Sequence, residues 1–167
     1  MTDSKRLTIL KALTTHLQGI TVANGYQHDL ANAVYRGRLS FSEETPLPCI
    51  NILEPLNPDR EPRVTDGGLL QKEDWVLLIQ GWVDDDDVNP TDPAHLLMAD
   101  VKKRLSLLMV EPYRNPNPAY MLGSKVAGVF IEPGTVRPPE ENSARAYFYL
   151  RVVLQVVEHL DDPYRLD

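Results

Sequence analysis

Four consecutive aspartates, Asp84, Asp85, Asp86 and Asp87, followed at a short distance by Asp92, form the densest cluster of potential ligands in the chain. Clustered carboxylates are what hard cations such as calcium or magnesium take. The spacing does not fit the helix-loop-helix calcium site, which alternates its oxygen ligands, turns at a central glycine and closes on a glutamate. Four adjacent side chains also cannot all turn toward one ion. The run reads instead as a solvated, self-repelling loop that terminates the strand before it. A metal-dependent or metal-binding enzyme using these acids stands as the alternative.

Other chemistry is sparse. The lone cysteine, Cys49, lies in an apolar strand pattern with no basic residue beside it, which fits a small buried hydrophobe rather than a reactive thiol. His16, His28, His95 and His159 are scattered, and His16 has no ligand-type neighbour at helical spacing, so a structural or solvent role is expected of it. Gly67-Gly68 lacks the Lys-Ser/Thr of a phosphate loop, and there is no nucleophile elbow, paired-histidine helix or CxxC. No catalytic residue, metal or cofactor is therefore assigned.

The strand that the acids end is the centre of the pattern. Along residues 75–83, Trp75, Leu77, Ile79 and Val83 share one face, and Val76, Leu78, Gln80 and Trp82 share the other. A strand apolar on both faces belongs in the middle of a sheet covered on each side, by helices or by another copy of the chain. The last segment alternates without a break: Ala144, Ala146, Phe148, Leu150, Val152, Leu154 and Val156 against Arg145, Tyr147, Tyr149, Arg151, Val153, Gln155 and Val157. One face is apolar. The other carries two tyrosines and two arginines, residue types that interface cores favour.

Around these strands, residues 4–18 place Leu7, Leu10, Leu13 and Leu17 at helical spacing, continued by Ile20, with Ser4 as N-cap and Gly19 as stop. A second helix begins at Asp92-Pro93, with Asp92 capping, and carries Ala94, Leu97, Met98, Val101, Leu105 and Leu108 as its apolar stripe. Lys102, Lys103 and Arg104 sit in its later turns, where the helix dipole favours positive charge. Short strands are expected at 33–38, with Arg36 and Arg38 on one side, and at 49–53; a further strand is expected at 125–131. Long loops are expected at 54–72, 84–90 and 112–118. The fold class is α+β: one mixed, mostly antiparallel sheet of about five strands with two helices packed against it, in a single domain over 1–167.

Composition bounds the function. The 167 residues carry a formal net charge of −7, which argues against gripping phosphate backbones. The chain opens with no basic-then-apolar leader, and no apolar run approaches the ~20 residues that span a bilayer. A soluble protein made in a reducing cytoplasm is expected.

The order of elements resembles the tail terminator (tail completion) proteins of long-tailed bacteriophages. The resemblance rests on the N-terminal amphipathic helix over 6–17, the Val34-Tyr35-Arg36-Gly37-Arg38 and Pro48-Cys49-Ile50-Asn51-Ile52 strands, and Trp75-Val76-Leu77-Leu78-Ile79-Gln80-Gly81 with its acidic loop. The helix ending Ala99-Asp100-Val101-Lys102 and the final strand complete it; residues 54–72 and 111–119 match no part of the pattern. It implies a non-enzymatic virion protein of the tail or neck, assembled in the host cytoplasm. Such a protein forms a homo-oligomeric ring, a hexamer, that caps the tail tube protein and meets the head-neck connector protein. Genome DNA passes through its channel without sequence-specific binding. For such a ring, Arg145, Tyr147, Tyr149 and Arg151 are the expected patch on one side of the subunit contact, with the acids at 84–87 opposite. A head-closure or minor tail protein is the alternative within the same setting.

Overall fold

The computed structural model describes residues 1–56, 63–65, 68–140 and 145–167, with only the backbone described at 63–65. Two long strands, β4 (Leu70–Asp84) and β7 (Arg145–His159), form its axis, paired antiparallel over their whole length, from Leu70 opposite His159 to Asp84 opposite Arg145. The alternation of β7 makes this register stable, since a one-residue slip would turn Phe148, Leu150 and Leu154 out of the core.

On the free edge of β4 lie β2 (Cys49–Leu53), antiparallel, and β3 (Arg63–Thr65). The edge strand β1 (Val34–Arg36) pairs with β2 in parallel. On the free edge of β7 lie β5 (Gly128–Ile131) and β6 (Thr135–Arg137). The main path is thus β1-β2-β4-β7-β5, with two short strands beside it. This is an α+β fold with one mixed, mostly antiparallel sheet. The expected 54–72 loop is shorter than its composition suggests, because β4 starts at Leu70 and β3 pairs with that start; residues 57–62 and 66–67 lie outside the described residues.

Helices α1 (Lys5–Gln18) and α2 (Asp92–Ser106) cover one face of the sheet. The Ser4 side chain accepts from the Leu7 amide and caps α1, as its residue type implies. The buried stripe of α1 runs Ile9, Leu13, Leu17 and on to Ile20, while Leu7 is exposed and Leu10 half-buried. The helix is therefore rolled away from the Leu7-Leu10 side that spacing alone favours. In α2, Ala94, Leu97, Val101 and Leu105, with Leu108 beyond its end, are fully buried. Thr91, not Asp92, takes the N-cap position, and it makes no side-chain cap bond; Asp92 is the first helical residue, where its charge still favours the dipole.

Trp75, Leu77, Ile79 and Val83 of β4 meet Leu154, Val152, Leu150 and Ala146 of β7 on the helix-covered face, all at 8% exposure or less. Gly19 ends α1 where the Arg104 guanidinium crosses it: a Cβ there would stand 2.2 Å from that group. The segment Met121–Ser124 makes a single left-handed turn, with φ of 49° at Met121, 53° at Leu122, 68° at Gly123 and 63° at Ser124. It buries Leu122 in the core, beside α1.

Candidate assembly surface

Among the described residues no helix lies over the second face of the sheet. Its rows are Val76 with Val153, Leu78 with Arg151, Gln80 with Tyr149, Trp82 with Tyr147 and Asp84 with Arg145, and β2 adds Cys49 beside Trp82. Part of this face is covered from within. Gly37, at φ 69°, turns the chain out of β1, and the segment after it lays Phe41 against Trp82 (ring centroids 4.7 Å) and Tyr35 (5.6 Å). Arg38 stacks on the Tyr35 ring at 3.9 Å, a cation–π contact. Its main chain is tied to Asn51, whose side-chain amide donates to the Arg38 carbonyl at 2.6 Å and whose oxygen accepts from the Arg38 amide at 3.2 Å.

The expectation that Arg36 and Arg38 share a side fails at Gly37. Arg36 points to the helix-covered side, beside Leu7 and Leu10, and Arg38 to the opposite one. Strand alternation ends where a left-handed residue intervenes. Cys49, beneath this cover, is fully buried and free. Burial pushes its thiol up to about 11, which removes thiolate reactivity at neutral pH.

On the rest of the face Val76 is buried and Leu78, Gln80 and Val153 are half-buried, and the exposed residues stand toward the β5 edge. Phe130 is 57% exposed, opposite Val153, and Tyr149 is 38% exposed. Arg145, Tyr147, Tyr149 and Arg151 all stand on this face, as alternation requires. Three of the four already have partners in their own chain. Arg145 donates to the Ser42 and Glu43 carbonyls at 3.4 and 3.0 Å, and Arg151 lies 3.7 Å from Glu132. The Tyr147 hydroxyl donates to Glu140 at 3.0 Å; burial, then that carboxylate, holds its pKa above the ordinary value.

The four acids are exposed. Asp84 is the cross-strand partner of Arg145, so structure pairs by register two residues that sequence assigns to opposite sides of a subunit contact. Asp86 folds the loop on itself, accepting from the Val88 amide at 2.9 Å and the Asn89 amide at 2.7 Å. These two donors, Asn89 first, hold its carboxyl below the usual range. Among the described residues no group of three or more His, Cys, Asp or Glu could hold a metal ion.

Two polar anchors escape the sequence pattern. Asp100, 5% exposed, accepts at one oxygen from the Gln27 and His28 amides (2.9 and 3.0 Å) and lies 2.7 Å from His28 Nδ1. Its place three residues after Leu97 and next to Val101 is the one sign of it. His16 Nε2 donates to the Arg104 carbonyl at 2.8 Å, and Arg104 Nε donates back to the His16 carbonyl at 2.7 Å. The structural role expected of His16 is the one it has.

A groove of about 540 Å³ opens beside this last pair, between α1, the end of α2 and the left-handed turn. Lys11, Arg104 and Lys125 line it over an apolar floor of Ala12, Ala119 and Leu122. The sequence pattern does not reveal it, because its three cations lie on separate elements. No helix among the described residues is long and apolar enough to cross a membrane. No protein-family model matches the chain, and no curated protein matches it.

Proposed function

We propose that this chain is a structural virion protein, a tail terminator whose copies close into a hexameric ring. The ring caps the phage tail tube, meets the neck connector and lets genome DNA pass through its channel. The observation that carries the reading is the uncovered part of the second sheet face, where Phe130, Tyr149 and Arg151 stand exposed beside the partly covered Val153. Aromatic side chains and arginine are the types that dominate interface energetics. A domain whose sheet is buried by helices on one side and exposes aromatic side chains and an arginine on part of the other is suited to pack against further protein. The resemblance in element order supplies the identity of that protein, and an acidic balance suits a channel that should not hold DNA tightly.

The test is a pair of substitutions on the open face, Phe130→Ser with Tyr149→Ser, which avoids the internally bonded Arg145 and Arg151. Electron micrographs and native mass of the wild type are expected to give rings of six. The double variant is expected to stay folded yet yield monomers, and in a complementation assay it should leave tails of uncontrolled length or particles lacking joined heads. A wild type that remains monomeric in the presence of tail tubes would end the terminator reading.

A further inference from the structure

We propose that the basic groove beside the left-handed turn receives the acidic loop at 84–91 of a neighbouring copy, the two forming the halves of one head-to-tail contact. The proposal builds on the ring reading above and assigns the acids a partner other than the arginines of β7.

Charge makes the first argument. In a chain with 24 acidic and 17 basic residues, the groove is lined by Lys11, Arg104 and Lys125 and by no carboxylate. Arg104 uses Nε on the His16 carbonyl, and Lys125 donates to the Leu122 carbonyl at 3.3 Å. A guanidinium has five N–H donors and an ammonium three, so both retain donors. Lys11 pairs with Asp3 at 2.6 Å, at the exposed surface where such pairs contribute little and exchange readily.

The loop has the complementary form. Asp86 is spent on the turn, and Asp84 stands in register with Arg145. Asp85 and Asp87 are exposed and make no hydrogen bond or ion pair among the described residues. Beside them Val88 is 82% exposed. An apolar tip next to the carboxylates matches an apolar floor next to the cations.

Placement gives the third argument. The loop leads into the N-terminus of α2, and Arg104 sits in the last turn of the same helix. At about 1.5 Å per residue, the span from Asp92 to Arg104 is roughly 18 Å of rigid helix. Loop and groove of one chain therefore cannot meet. Two complementary patches at opposite ends of a rigid spacer meet between copies, and a contact of one patch with a different patch closes into a ring when its rotation allows. The charges orient the neighbour more than they bind it, leaving affinity to Val88 and the open sheet face.

The experiment uses three variants of the full chain: Lys11→Glu with Lys125→Glu, Asp85→Lys with Asp87→Lys, and all four together. Arg104 is left intact because it also ties α2 to α1. Native mass and sedimentation velocity are read at low and physiological salt, with circular dichroism to establish folding. Each double variant is expected to lose the oligomer at the subunit concentration where the wild type assembles, and the fourfold variant to regain it. Wild-type assembly is expected to weaken as salt rises. A second readout joins Asp87→Cys to Lys125→Cys, which should give intermolecular disulfide ladders while the buried Cys49 stays silent. Double variants that assemble like wild type, a folded fourfold variant that fails to recover, or no ladder would overturn the contact. Oligomers that persist in the double variants and still cap tail tubes would leave the terminator reading standing without this contact. Rings that depend on it yet never cap tubes would do the reverse.

Discussion

Gly81 of β4 and Phe148 of β7 are cross-strand partners, and the Phe148 ring fills the space a side chain at position 81 would take: a Cβ there would lie 2.2 Å from Phe148 Cε1. A glycine within a strand costs conformational entropy. Here the cost is offset by the ring, which lies fully buried in the middle of the sheet's core face. Gly81→Ala is expected to destabilise the fold by about 1–3 kcal/mol, the usual range for overpacking. Phe148→Leu in the same chain should recover part of that loss. Urea unfolding of the two single variants and the double variant gives the coupling directly. Additive losses would mean the ring and position 81 do not compete for space.

Asp100 supports a different part of the molecule. Its single oxygen gathers two backbone amides and the His28 ring, and so fixes the segment between the first helix and the sheet onto α2. Removing a buried acceptor leaves its donors unsatisfied at roughly 1–3 kcal/mol each before water re-enters. Asp100→Ala is expected to cost about 2–4 kcal/mol in all. Amide exchange at Gln27 and His28 should accelerate more than exchange in β4. Uniform acceleration across the fold would assign the loss to global stability and not to this anchor.

What the sequence made legible follows from period and length. The apolar run from Trp75 and the alternation around Leu150 are long enough to mark both strands, though not the start of β4 at Leu70, and Ser4 marks the start of α1 through a local bond. The strands β3 and β6 were not legible, because Arg63-Val64-Thr65 and Thr135-Val136-Arg137 each hold a single apolar residue among proline- and glycine-rich neighbours and are drawn into the sheet by longer partners. The roll of α1 onto Ile9 and Leu13 was hidden because leucines lie on two adjoining faces and only packing chooses between them. At the surface, alternation correctly put Arg145, Tyr147, Tyr149 and Arg151 on one face. It could not show that Ser42, Glu43, Glu140 and Glu132 engage three of them, since those contacts cross loops.

The left-handed turn Met121–Ser124 holds three non-glycine residues at positive φ. A Cβ in this region costs roughly 1–2 kcal/mol per residue. Leu122 recovers its share through burial, but Ser124 is exposed and has no such return. Ser124→Gly is therefore expected to stabilise the protein by about 0.5–1 kcal/mol, less than the strain relieved because glycine also loosens the unfolded chain. Leu122→Gly should destabilise, since it gives up a buried side chain. The two thermal midpoints, compared with wild type, decide the matter. A fall in stability for Ser124→Gly would mean that the turn is not strained at this position.

His16 makes stability depend on pH in a defined window. Burial lowers its pKa from 6.5 to about 4; the hydrogen bond to the Arg104 carbonyl opposes that shift, and the charge of Arg104 adds to it. In the folded chain the imidazole thus stays neutral down to about pH 4, whereas in the unfolded chain it protonates near pH 6.5. Above pH 6.5 both states are neutral and the histidine is indifferent. As pH falls below that value the unfolded state binds a proton that the folded state does not, so stability falls, by up to about 3 kcal/mol when pH 4 is reached. Below pH 4 both states are charged and the loss levels off. His16→Gln keeps an N–H donor for the Arg104 carbonyl and cannot titrate. The stability of the wild type relative to this variant should be constant above pH 6.5 and decline between pH 6.5 and 4. Carboxylate titration is common to both proteins and cancels in the difference. Parallel curves across that window would show that His16 carries the same protonation in the folded and unfolded chains.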